Sequence, residues 1–403
     1  MIDDKFIDEL KEKNNLVDVA SKYCDLKRKG AVNYWACCPL PGHSEKTPSF
    51  TVNEPGQFFK CFGCGRGGDV ISFIRIMENL DYVGAVRFLA ERAGLPMPDD
   101  NRDYAKIAKE RSERDRLLAL MKTTAMFYVE NLKDPRAKKY IDYMQSREVD
   151  MRTMKIFGIG ASLDMSSLPR HLKAKGFTEE EMIKCCVCKK KVKDDGSSFI
   201  YDFLAERLIF PIINNLGNVI AFGGRTLEKN PRFMKYKNTE ETELFKKNRT
   251  LFNINKLKLE RAKQELSEVI LVEGYMGTIR PYINGFKNVV ASMGTSLTVE
   301  QAKILKRYAP TVIICYDGDS AGQKSTLRGL DILAGQGLEV KVLQLPPPDD
   351  PDDFIRKHGA EEFKKLLDES LPLIDYKLKI LEKGYDITND AERRKYIQEA
   401  IKV

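Results

Sequence analysis

No apolar run reaches the roughly 18 residues that a membrane-spanning helix needs. The N-terminus, Met1-Ile2-Asp3-Asp4-Lys5, lacks the basic and apolar stretches of a secretory signal. No internal repeat or low-complexity tract is evident, and no segment has a collagen-like composition. The nine cysteines are an odd number, spread over 403 residues. That argues against a disulfide framework and for a reducing, cytoplasmic setting, where clustered cysteines more often bind metal. Acidity overall is also missing, since the formal net charge is +8. A mild basic excess favours a polyanionic partner without naming one.

The excess is local. Residues 1–100 carry 13 basic against 15 acidic side chains, residues 101–265 carry 35 against 23, and residues 266–403 carry 19 against 21. A basic middle is therefore flanked by two segments of slight negative charge. Segment lengths suit several domains. Apolar spacing predicts short helices over 2–22, short strands broken by Pro and Gly over 32–62, and helix again over 69–93. The stretch 94–101 is a stop and linker, and the polar run 102–116 is a solvated helix or tether. Helices are expected over 117–190, strands over 199–226, and alternating strand and helix from 268 onward. The lysine run 189–193 reads as a solvated loop.

Two constellations carry chemistry. Cys61-Phe-Gly-Cys64 is a C-x2-C knuckle, and Cys38 with His43 stands about twenty residues upstream. Two soft ligands, a short strand pair and two more is the arithmetic of one structural, tetrahedral Zn²⁺. Cys37 is an alternative to Cys38, but the proline after Cys38 favours the latter. Gly63-x-Gly65-x-x-Gly68 also fits a dinucleotide fingerprint, but it lies inside the knuckle instead of after a strand of a βαβ unit. Among the aromatics, Trp35, Phe58, Phe59 and Phe62 are candidates for stacking on bases.

The second constellation is acidic. Three apolar strands run into acids: Glu268–Val272 into Glu273, Thr311–Tyr316 into Asp317-Gly318-Asp319, and Glu339–Leu345 into Asp350-Pro351-Asp352. Near-continuous apolar runs suit a parallel sheet covered on both faces, whose ligand site opens at the carboxyl ends. Thr298 with Gln301 predicts a capped helix start between two of them. Clustered carboxylates need hard cations, so about two Mg²⁺ or Mn²⁺ ions are implied, suited to an in-line phosphoryl displacement.

These residues resemble the core of bacterial replicative primases of the DnaG type. Cys38-Pro, His43-Ser-Glu45-Lys46-Thr47-Pro48-Ser49-Phe50 and Cys61-Phe-Gly-Cys64-Gly65 resemble that family's zinc-binding domain. Phe210-Pro-Ile, Phe222-Gly-Gly-Arg225, Lys235-Tyr236 and Leu244-Phe-Lys-Lys247 resemble its basic subdomain. Glu273-Gly-Tyr-Met and Asp317-Gly-Asp319-Ser-Ala-Gly resemble its Toprim fold. The resemblance implies an α+β multidomain chain. It would comprise a zinc-ribbon-like domain (1–100), a linker (101–116), a basic mixed α/β subdomain (117–265), a Toprim subdomain with a parallel sheet (266–356) and the start of a helical subdomain (357–403).

The resemblance also implies a nucleotidyltransferase, a DNA-directed RNA polymerase that makes short RNA primers on single-stranded DNA from ribonucleoside triphosphates. Glu273, Asp317 and Asp319 would be catalytic; the same three with Asp350 and Asp352 would hold Mg²⁺ or Mn²⁺; Arg207, Arg225, Lys235 and Lys247 would bind template or nucleotide. It brings in a replicative helicase as partner, although the family's helicase-binding domain is absent from these 403 residues. The chain departs from the family pattern at Gly277, where an Asp is usual, in the two extra residues between Cys38 and His43, and at Phe203 and Ala205, where arginines are usual. Those departures keep two other readings open: a degenerate single-stranded DNA-binding protein and, less favoured, a Toprim nuclease.

Overall fold

The computed structural model describes residues 4–43, 45–97, 104–228, 234–294, 297–316 and 329–403, with side chains in the helix that begins at Tyr104 given from Ser112 onward. The chain divides into two units, one of residues 1–112 with 258–266 and the other of residues 113–257 with 267–403. No described helix is long and apolar enough to cross a membrane.

The first unit is built on a five-stranded antiparallel sheet in sequential order: β1 (Lys27–Arg28), β2 (Asn33–Ala36), β3 (Phe50–Asn53), β4 (Phe58–Cys61) and β5 (Gly67–Gly68). Alternation along β4 decides its facing: Phe59 and Cys61 are buried, while Phe58 and Lys60 are exposed. Helices α1 (Asp4–Glu12) and α2 (Leu16–Ala20) precede the sheet, and α3 (Val70–Glu78) and α4 (Tyr82–Ala93) follow it. Asp69 and Asp81 cap the last two by accepting from Ser72 N and Gly84 N. Asn79 and Gly94 end them in the left-handed conformation. Phe50, Phe59 and Phe73 pack ring on ring with centroids 5.4–5.9 Å apart. Each contributes about 2–3 kcal/mol by burial. Phe59 is thus a core residue, whereas Phe62 is exposed and stacks on Trp35 at 6.1 Å.

The second unit holds two larger sheets. One is antiparallel in the order β11 (Tyr236–Asn238), β10 (Val219–Arg225), β9 (Arg207–Ile213), β6 (Gly160–Ser162). Strand β9 is almost wholly buried and contains Pro211. β6 pairs only with residues 207–209, so the proline falls where that edge has no partner strand to miss its N–H. The lysine run read as a loop is instead strand β7 (Cys188–Val192), paired antiparallel with β8 (Ser198–Asp202). The other sheet has the order β13 (Val289–Ala291), β12 (Glu268–Val272), β14 (Thr311–Ile314), β15 (Glu339–Val342), all parallel, with β16 (Leu371–Pro372) antiparallel at the edge.

Its helices include α11 (Tyr275–Ile283), α12 (Val299–Lys306) and α13 (Pro351–Asp368), the last with non-helical backbone at Gly359. Thr298 and Gln301 form the reciprocal cap of α12. The basic and acidic segments, which the sequence reading parts at 265/266, share one hydrophobic core: Phe210 stacks on Tyr275 at 4.9 Å. The boundary expected at 356/357 falls inside α13, and the polar segment 101–116 becomes, from Tyr104, the first part of helix α5 (Tyr104–Glu130).

Candidate functional site

In the first unit β4 ends at Cys61, and the turn that follows returns Cys64 toward it, with Gly65 N donating to Cys61 O at 3.0 Å. Ligand atoms of Cys38, His43, Cys61 and Cys64 all lie within 4.8 Å of one another. Cys61 Sγ is 3.6 Å from His43 Nδ1. Four ligands about 2.3 Å from a tetrahedral ion stand about 3.8 Å apart, so this set suits Zn²⁺. Cys37 is exposed and outside the group.

Glu45 organises the surround. It accepts from Cys38 N at 2.8 Å and Ser49 N at 3.0 Å, and its Oε2 lies 3.7 Å from His43 Nε2. Such an outer carboxylate orients an imidazole ligand. Burial raises the Glu45 carboxyl, but the bonds from Ser49 and Cys38 outweigh it and hold the group below its usual range. Burial pushes the Cys38 thiol well up. At Cys64 burial acts the same way, but the backbone and side chain of Arg66 reverse it and favour the thiolate. Gly63 is needed for space, because a Cβ there would lie 2.5 Å from the His43 ring.

In the second unit, Glu273 follows β12 at the carboxyl end of the parallel sheet, and its carbonyl accepts from Met293 N at 2.9 Å. Asp350 is the N-cap of α13 and accepts from Asp353 N at 2.8 Å. Carboxylate oxygens of Asp350, Asp352 and Asp353 lie within 4.8 Å of one another. Burial raises the Asp350 carboxyl, and the charges of Asp353 and Asp352 add to it, against the pull of the Asp353 N–H and Arg147.

Asp352 is fully buried. Its Oδ1 accepts from Arg280 Nε at 2.8 Å, and its Oδ2 faces the Arg147 guanidinium in an ion pair without hydrogen-bond geometry. Arg147 Nη1 reaches Asp353 at 3.1 Å. Burial would lower the Arg147 pKa, but Asp352, Tyr143 and Asp353 outweigh it and firm its charge. Asp317 and Asp319, which follow β14, lie outside the described residues.

Of the expected phosphate-binding cations, Arg225 acts on the same phenol, that of Tyr236, as Arg147 and Asp350 do. Its guanidinium sits between the rings of Tyr143 and Tyr236, 4.5 and 5.1 Å from their centroids, and donates to Tyr236 Oη at 2.7 Å. The Tyr236 phenol is raised by burial, which Arg225 and Arg147 oppose and Asp350 reinforces. Arg225, Arg147 and Asp350 therefore share one electrostatic neighbourhood. Arg207 is not of that set: it is buried and donates to the carbonyls of Gly224 and Met234 at 3.2 and 3.0 Å. Lys235 is exposed, and Lys247 is half-buried in a 3-10 turn.

Sequence reasoning did not find Arg147, Arg280 or Tyr143. Arg280 alone left a signal, as a charge within the otherwise apolar helix after Glu273-Gly-Tyr-Met. Gly223 has a reason the motif did not reveal, since a Cβ there would lie 2.2 Å from Tyr275 Oη.

Three stretches match known families: residues 2–105 a CHC2 zinc finger, residues 127–258 a DNA primase catalytic core, N-terminal domain, and residues 270–355 a Toprim-like domain. The chain is 39% identical over 402 residues to a DNA primase of Clostridium acetobutylicum, covering 99% of this chain and 64% of that protein. It is 35% identical over 375 residues to a DNA primase of Aquifex aeolicus, covering 93% of this chain and 70% of that one. This chain spans a little under two thirds of the length of the Clostridium acetobutylicum relative. Among solved structures, the Aquifex aeolicus primase with zinc-binding and RNA polymerase domains superposes with a TM-score of 0.60 at 33% identity, covering 94% of this chain and 88% of that one. A DnaG primase catalytic domain bound to single-stranded DNA gives 0.62 at 30%, covering 71% and 88%.

Proposed function

Because the chain belongs to the DnaG-type family of bacterial DNA primases, we propose that it is a nucleotidyltransferase that makes short RNA primers on single-stranded DNA from ribonucleoside triphosphates. The observation that carries the reading is the pairing, in one unit, of acids at the carboxyl end of a parallel sheet with the tyrosine-held cation Arg225. Glu273 and Asp350, with Asp317 and Asp319, would hold divalent cations. Mg²⁺ or Mn²⁺ bound there would neutralise the transferring phosphates and acidify the attacking hydroxyl. Arg225 lies over the Tyr143 ring and donates to Tyr236 Oη, which limits the freedom of its guanidinium and would lower the entropic cost of holding a phosphate. Lys235 and Lys247 would hold the template or nucleotide by charge. Cys38, His43, Cys61 and Cys64 would hold one structural zinc that orders the turn between the ligand pairs.

The proposed working segments are the zinc module 1–100, the linker 101–116, the basic subdomain 117–265, the Toprim subdomain 266–356 and the helices from 357. Single-stranded DNA is the proposed template, with a replicative helicase as a further partner from the family and a cytoplasmic setting. The test is incorporation of labelled ribonucleotides on single-stranded DNA with Mg²⁺ or Mn²⁺. Asp317→Ala should abolish it. Undiminished synthesis by that variant, or salt-sensitive DNA binding with no incorporation under either metal, overturns the reading.

A further inference from the structure

The geometry points to a division of labour among the acids at the start of α13: Asp350 remains open to a divalent cation, Asp353 is paired with Arg147, and Asp352 is a positioning residue whose counterion is built into the fold as Arg280. This rests on the proposed metal-dependent reading and departs from it at Asp352, which does not fit a cation ligand. Arg280 is 3% exposed and makes three contacts at once. Its Nε donates to Asp352 Oδ1 at 2.8 Å, its Nη1 lies 3.2 Å from Glu148 Oε2, and its Nη2 donates to the carbonyl of Arg147. Each contact fixes the guanidinium in a different direction. Arg147, from the segment so anchored, covers the other oxygen of Asp352 and reaches on to Asp353. Two guanidinium groups therefore face the one buried carboxylate. A divalent ion at Asp352 would have to displace a buried, multiply bonded arginine, leaving that charge uncompensated.

Position 277 bears on the same point. Helical spacing puts it one turn before Arg280, and a Cβ on Gly277 would lie 3.6 Å from Pro351 Cγ, an ordinary contact. A methyl there would touch the first turn of α13 without a clash, so crowding at the Cβ does not demand the glycine. Its effect is electrostatic: α11 presents no carboxylate to that turn at 277 and presents a cation at 280. The fixed positive charge of Arg280 takes the neutralising role that a mobile ion would otherwise fill at Asp352.

The experiment is Mn²⁺ binding to the full chain, read by titration calorimetry and by the electron paramagnetic resonance signal of free Mn²⁺, independently of primer synthesis. Asp352→Asn keeps an acceptor for Arg280 and should leave Mn²⁺ affinity within about threefold of the parent, whereas Asp350→Asn should lower it at least tenfold. Arg280→Gln should raise affinity or stoichiometry by freeing Asp352, and Arg280→Lys, which keeps the charge, should behave like the parent. A tenfold loss in both Asp350→Asn and Asp352→Asn overturns this assignment and leaves the metal site standing. No loss in Asp350→Asn overturns the metal-site reading itself. Should Arg280→Gln not fold, the Asp352→Asn and Arg280→Lys results still decide the matter: a tenfold loss in the former, or altered Mn²⁺ binding in the latter, refutes the assignment.

Discussion

Asp202 ends strand β8, is 1% exposed, and accepts from Ser162 Oγ at 2.6 Å, Leu204 N at 2.8 Å and Tyr128 Oη at 2.9 Å. Burial pushes its carboxyl up to about 6 even though those three donors favour the charged form. In the unfolded chain it loses its proton near pH 4, but in the native chain it keeps the proton to about pH 6. Within that window the native state binds more protons, so its stability falls as pH rises and levels off above about 6.5. A shift of about two units corresponds to roughly 3 kcal/mol in full, of which about 2 kcal/mol is lost between pH 4.5 and 7.5. Asp202→Asn cannot titrate; its amide oxygen keeps an acceptor for Leu204 N and Tyr128 Oη, and its amide nitrogen can donate to Ser162 Oγ. Urea unfolding of both proteins across that range, followed on the unit that carries Asp202, should show the variant gaining about 2 kcal/mol on the parent as pH rises. A gap that stays constant to within about 0.5 kcal/mol refutes the claim that this carboxyl is protonated in the native state.

Removing zinc, by chelation or by Cys64→Ser, should lower the bound metal from one per chain toward none and abolish the melting transition of the first unit while leaving that of the second; a first unit that melts unchanged would contradict a structural zinc. Gly223→Ala should force Tyr275 out of its stack on Phe210 and out of its bond to Asn238, which is 2.7 Å long. Overpacking of this kind costs about 1–3 kcal/mol, and denaturant unfolding with a primer-synthesis assay should show both stability and activity reduced.

What could be read from the sequence were the features set by local spacing. The zinc ligands are two short motifs, the start of α12 is a four-residue cap, and three of the four parallel strands announce themselves as apolar runs that end in acids, whereas β13, which runs into Ser292, does not. What could not be read depends on contacts distant in sequence. Nothing near Arg280 signals Asp352, 72 residues away, or the carbonyl of Arg147, 133 residues away. Arg207 entered the phosphate-binding set through the family resemblance alone, and nothing next to it in sequence signals the carbonyls of Gly224 and Met234 to which it donates. The shared core of the basic and acidic segments was hidden for the same reason, since Phe210 and Tyr275 each look like ordinary members of their own segment.

The strand order of the parallel sheet also fixes a timetable for synthesis. Strand β12 pairs with β13 on one side and with β14 on the other. On the ribosome, Val269, Ile270, Leu271 and Val272 emerge about 40 residues before Thr311–Ile314, the strand that covers their second edge. At about 5–20 residues per second that edge stays open for roughly 2–8 seconds. Over that interval the nascent chain presents a short, wholly apolar template for pairing with any other chain. Slow translation between residues 272 and 311 should therefore raise aggregation during synthesis, whereas slow translation after β15 has emerged should not.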